Sequence, residues 1–144
     1  MRMSTRARYG VRAMLDLAMN GEKSPVSVRD IARRQGVSAR YLEHLLLALK
    51  KKGLVASRAG VRGGFLLARR PAAVRIRQIV EALEGSLAPV ACLAESRICR
   101  RAPGCAARRL WLRVQAQIVR TLDRITLADL ARMQAEEAGR HRHL

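Results

Sequence analysis

Cys92, Cys99 and Cys105 are the only thiols of the 144-residue chain, and all three fall in one short stretch. As thiolates they could ligate a metal or cluster, exchange electrons as thiols, or act as nucleophiles. An odd number of cysteines in one segment is a poor plan for a disulfide framework. Gaps of six and five residues also differ from the two-residue gaps of zinc ribbons and bacterial ferredoxins. Nucleophilic catalysis would need an oriented base nearby. Two of the three histidines, His141 and His143, sit at the chain end, and His44 belongs to a different constellation. No catalytic set is visible, so an enzyme is not expected. Arg97, Arg100, Arg101, Arg108 and Arg109 against Glu95 leave a local excess of +4, which suits thiolate ligands and offsets the negative charge of a thiolate-bound cluster.

The second constellation is basic. Twenty-nine Lys and Arg against eleven Asp and Glu give a net charge of +18, which makes a polyanion the leading partner. Residues 1–70 carry sixteen basic and four acidic side chains (+12), and residues 71–144 carry thirteen and seven (+6). The first half is therefore the expected polyanion face. Four aromatic residues, Tyr9, Tyr41, Phe65 and Trp111, are too few for base stacking on a single strand, so duplex DNA fits better than RNA. A basic RNA-binding module is the competing class; it would explain the charge but not the helix pair and hairpin below.

The elements that would position these residues follow from caps and periodicity. Tyr9, Ala13, Met14, Leu17 and Ala18 have helical spacing from Ser4 to a stop at Gly21. Ser27, three residues before Asp30, opens a second helix that breaks at Gly36, and Ser38 caps a third lined by Tyr41, Leu42, Leu45, Leu46 and Leu49. Two capped helices around a glycine turn have the sequence shape of a helix-turn-helix. Runs 54–57 and 65–68, joined by a glycine-rich basic segment, read as a two-stranded wing. A fourth helix follows through Ile76, Ile79, Val80 and Leu83 to Gly85. Leu110, Trp111, Val114, Ile118, Leu122 and Ile125 stripe a long helix from about 106 to 124, a natural dimer seam whose alternative partner is the first helix. Thr126 with Asp129 opens a last helix.

The expected fold is mainly α: a winged helix-turn-helix domain (1–85), a cysteine-bearing loop (86–105), dimerisation helices (106–137) and a flexible tail (138–144). No apolar run approaches the roughly 18 residues needed to span a bilayer. The opening Met-Arg-Met-Ser-Thr-Arg lacks a secretory pattern, so the chain is expected in the cytoplasm.

The run Arg8-Tyr9-Gly10-Val11 to Asp16, the stretch Ile31 to Glu43, the wing with Gly63-Gly64-Phe65, the three-cysteine loop and Ile125-Thr126-Leu127 together resemble the IscR-type family of bacterial winged-helix transcription regulators. The likeness covers about residues 1–135. It implies a homodimer, palindrome-like operators in duplex DNA, and an iron–sulfur cluster, 2Fe–2S or 4Fe–4S, or another redox input through Cys92, Cys99 and Cys105. Relatives can complete the ligand set with a histidine three residues after the last cysteine, or with an acid from the partner's first helix. Those places hold Arg108 and Arg8, so the fourth ligand is unassigned. Zinc or cluster-free thiol sensing stays open beside the cluster.

The expected DNA-reading residues are Ser38, Arg40, Tyr41, Glu43 and His44 on the third helix and Arg58 and Arg62 on the wing. Arg40 can pair with guanine or phosphate, and Glu43 can accept from cytosine N4; the resemblance also puts Glu43 at a base-reading position. The plainer alternatives are a solvated Glu43 paired with Arg40, and a His44 that is simply on the surface. Arg58 and Arg62 suit a narrow minor groove, although wings of the family often carry arginine one place after Arg58 and glycine where Arg62 stands. Lys50 to Lys52 would neutralise phosphate or favour the helix C-terminus.

Overall fold

The computed structural model describes residues 2–142. Helix α1 (Thr5–Asn20) starts where the Ser4 hydroxyl accepts from Ala7 N, and ends at Gly21. In α2 (Val28–Gln35) the Ser27 hydroxyl accepts from Asp30 N, and Gly36 closes the helix at φ 67°. That left-handed conformation strains any residue with a Cβ. It turns the chain directly into α3 (Ala39–Lys51), capped by Ser38. Each start is a local hydrogen bond between a hydroxyl and an orphan helix N–H, which is why each is legible from a few residues.

The wing pairs β1 (Val55–Arg58) with β2 (Gly64–Leu67) antiparallel, Val55 opposite Leu67 and Arg58 opposite Gly64. The strands are displaced by one residue from the sequence expectation. On the far side of β2, Val26 N donates to Phe65 O and Phe65 N donates to Val26 O, both at 2.8 Å. This bridge anchors the wing to the segment before α2. It brings the Val26 carbonyl so close to Gly64 that a Cβ there would collide with it, so glycine is required by the approach of a second backbone.

A single 3-10 turn (Pro71–Ala73) leads to α4 (Ile76–Glu84). The cysteine segment is folded into short pieces: a one-turn α5 (Ala91–Ala94) and two 3-10 turns, Ser96–Ile98 and Ala102–Gly104. Helix α6 (Ala106–Arg124) follows, then α7 (Leu127–His141). Helix α7 continues through His141, where the sequence pattern suggests a decaying tail from about residue 138; His143 and Leu144 lie outside the described residues.

The core centres on Met14, Leu17, Ile31, Leu42, Leu45, Leu46, Leu49, Leu54, Val74 and Ile79, all essentially inaccessible to water. Helix α1 is the hub, packing on α2, α3, α4 and α7. Helix α6 has no fully buried residue. It lies on α4 rather than on α1, and only Val119 and Leu122 in its last turns, with Ile125 just beyond its end, reach the core. The α6–α7 joint is bonded to the start of α4: Ile76 N donates to Ile125 O (2.9 Å) and Leu127 N to Val74 O (2.8 Å). No helix among the described residues is long and apolar enough to cross a membrane.

Candidate nucleic-acid interface and cysteine loop

Helix α3 divides cleanly into two faces. Leu42, Leu45, Leu46 and Leu49 are buried, while Ser38, Arg40, Glu43 and His44 are exposed. Arg40, Glu43 and His44 stand at i, i+3 and i+4, on one face of the helix. Glu43 has no ion-pair partner among the described residues, so the alternative pairing with Arg40 is not made. The Ser38 hydroxyl accepts from Tyr41 N at 3.1 Å, which leaves its own proton available to an outside acceptor.

Tyr41 is placed differently from its neighbours. It is half-buried, its ring meets Tyr9 of α1 edge-on with centroids 6.1 Å apart, and its hydroxyl is buried without a hydrogen-bond partner. It buttresses α3 against α1. Arg58 and Arg62 are exposed on the wing, and Val61 is wholly exposed at its tip. Lys50 Nζ donates to Ser57 Oγ at 2.6 Å, which ties the end of α3 to β1.

A polar network beneath this face escaped the sequence reading. The carboxylate of Asp16 in α1 is buried, and Arg34 in α2 grips it with Nε on Oδ2 (2.9 Å) and Nη2 on Oδ1 (2.7 Å). Gln35 Nε2 also donates to Oδ2 at 3.0 Å, and Asn20 Nδ2 donates to Oδ1 at 3.3 Å. Gln35 in turn accepts from Arg12 Nε at 2.9 Å, and the Arg12 guanidinium lies 5.0 Å from the centre of the Tyr9 ring. The hydrogen bond to Asp16 raises the Arg34 pKa above its ordinary value. The available signal was an isolated acid in an apolar helix stripe.

In the loop, Cys92, Cys99 and Cys105 are half-buried and none is in a disulfide. Among the described residues no three His, Cys, Asp or Glu side chains stand close enough together to hold a metal ion. Arg108, in the first turn of α6, has a buried Nε without a hydrogen-bond partner. Close by, the first half of α6 presents Leu110, Trp111 and Leu112 to solvent, and Ile98 of the loop is exposed as well.

Comparison with known proteins agrees with this architecture. The Rrf2 family, described as "Iron-dependent Transcriptional regulator", matches residues 3–133. The Rrf2 protein of Nitratidesulfovibrio vulgaris is 43% identical over 92% of this chain and 88% of its own length. Among solved structures, CymR, the global cysteine regulator of B. subtilis, superposes with a TM-score of 0.78 at 35% identity, covering 92% of this chain and 98% of that one. IscR of T. potens superposes with a TM-score of 0.74 at 41% identity, covering 96% and 90%. These relatives are transcriptional regulators rather than enzymes, and the chain belongs to the Rrf2 family of winged-helix transcriptional regulators.

Proposed function

We propose that the protein binds duplex DNA as a homodimer, with each α3 in a major groove of a palindrome-like operator and each wing beside it, and that the cysteine loop carries the regulatory input. The solvent face of α3 carries this reading. Arg40, Glu43 and His44 stand exposed on a helix whose opposite face is fully buried, and Glu43 is a carboxylate kept unpaired on a strongly cationic chain. A carboxylate aimed at a polyanion is repelled by phosphate and is useful only against a base donor such as cytosine N4. Ser38 and the flanking Arg58, Arg62 and Lys50 to Lys52 would fix register on the backbone.

The seam of the dimer is the exposed apolar strip of α6. Leu110 and Trp111 are large and solvent-facing, half-buried Val114 and Ile118 continue the same face at helical spacing, and a second copy of the same helix would bury this face symmetrically.

The fit of an iron–sulfur cluster can be judged on the loop itself. The donors are of the right kind, three half-buried thiols outside any disulfide. Their placement is not, since no three ligating side chains are gathered. The loop as folded therefore suits thiol chemistry better than a cluster, and residues 90–106 would have to close around one. In either case the input has a packed route to the reader: α5 rests on α6, α6 on α4, and α4 on α1 and α3. Ordering of the loop would shift α4 against α6 and change how the two copies of α3 are presented.

Anaerobic purification, with visible absorption and iron and sulfide content for the wild type and each Cys→Ala variant, separates cluster from thiol sensing. Duplex selection from a random library tests the whole reading. Enrichment of a palindrome-like site whose affinity responds to the cysteines is expected, and no preference for any duplex would overturn the proposal.

A further inference from the structure

Leu47 is 42% exposed, although Leu45, Leu46 and Leu49 on the same helix are fully buried. It lies at i+3 from His44, i+4 from Glu43 and i+7 from Arg40, and so extends the exposed line of α3 by one turn. A helix seated in a major groove presents base-reading side chains at this i, i+3, i+4, i+7 spacing. Around Leu47 the surface forms an open hollow with His44, Ala48, Lys50 and Lys51. Lys50 is held toward β1 by its bond to Ser57.

The two lysines determine what covers this leucine. An apolar protein face seated there would have to desolvate the Lys51 ammonium without an acceptor and the Lys50 ammonium with only the neutral Ser57 hydroxyl, which is costly. A phosphate-bearing duplex supplies acceptors to the lysines and base edges to the leucine. Among the groups that base edges show in the major groove, the large apolar one is the 5-methyl of thymine. We infer that Leu47 is a specificity-determining residue that selects thymine through its 5-methyl group, one step along the groove from the bases met by Glu43 and His44. This rests on the proposed reading of α3 as the groove helix.

The test begins with the duplex that wild-type protein selects from a random library. Each thymine of that duplex is replaced singly by deoxyuridine, which removes only the methyl. Dissociation constants are then measured at one fixed salt concentration for the wild type, Leu47→Ser and Leu47→Met. At one thymine position the wild type is expected to weaken about fourfold, the affinity equivalent of one buried methyl. Leu47→Ser is expected to bind the thymine duplex about fourfold less tightly and to be indifferent to the replacement at that position, whereas Leu47→Met keeps the discrimination. Because Leu47 is exposed, the thermal midpoints of all three should agree. A uracil profile that is flat in the wild type, or that survives unchanged in Leu47→Ser, would overturn the inference while leaving the groove assignment of α3 intact. Failure of the wild type to select any duplex strikes the groove assignment itself.

Discussion

Asp16 and Arg34 join α1 to α2 through two parallel hydrogen bonds of 2.7 and 2.9 Å, with the carboxylate almost wholly shielded from water. Arg34 stands two residues before the left-handed Gly36 that starts the turn into α3. The pair therefore sets the position of the turn from which α3 departs.

Asp16→Ala is expected to lower the unfolding free energy by about 2 kcal/mol, because it removes the buried acceptor shared by Arg34, Gln35 and Asn20. Arg34→Lys keeps the charge but loses the two-pronged geometry, with an expected cost of about 1 kcal/mol. Urea unfolding of the two variants measures both, and a cost for Asp16→Ala below that of Arg34→Lys would contradict the assignment.

The cationic face implies steep salt dependence. If about six to eight of the charges on α3 and the wing meet phosphate, the logarithm of affinity should fall with log salt at a slope of about −5 to −7 for each protomer. Titration of a selected duplex between low and physiological salt gives this slope directly. A flat response would mean that phosphate contacts do not hold the complex.

Glu43→Ala should change which base is preferred more than it changes total affinity. Loss of one base-edge contact is worth about 1–3 kcal/mol of discrimination at that base pair. Removing a carboxylate from a DNA-facing surface also relieves phosphate repulsion, so affinity for unrelated duplexes should rise. Competition between the selected duplex and its single-base variants reads the two effects separately.

Trp111→Glu places a charge in the centre of the exposed strip of α6 and should shift a dimer to monomer at micromolar concentration in sedimentation equilibrium. The monomer should stay folded, since Trp111 is not part of the core. Unchanged dimer mass would remove α6 from the interface.

The capping box at the start of α7 predicts an acid-side effect. Asp129 Oδ2 accepts from Thr126 N at 2.9 Å and Thr126 Oγ1 accepts from Asp129 N at 3.0 Å. The backbone hydrogen bond from Thr126 is the first cause that lowers the Asp129 pKa. A depressed folded pKa means that this contribution is present above the unfolded carboxylate pKa of about 3.9 and is lost as pH falls through the lower folded value. Thermal midpoints of wild type and Asp129→Ala should differ at neutral pH and converge only as pH drops below that range.

Features that depend on a few neighbouring residues were legible in the linear chain. The hydroxyls of Ser4, Ser27, Ser38 and Thr126 each bond an N–H three residues on, and the leucine periodicity of α3 already separates its buried face from Arg40, Glu43 and His44. The resemblance carried by the first helix, the wing and the cysteine spacing gave the family as well. What only the tertiary structure decided depends on groups far apart in sequence. Asp16 meets Arg34 across eighteen positions, Val26 bridges Phe65, and Val74 and Ile76 bond the α6–α7 joint. Tyr41 turns inward because Tyr9 happens to lie beside it, and Leu47 is left exposed because no element packs over that side of α3. The cysteine spacing likewise says nothing about distance, since the short helical turns between the thiols set where each one points. Caps and periodicity are properties of one turn or one strand; the buried ion pair, the wing's third backbone partner and the placement of the sulfurs exist only once separate elements have packed together.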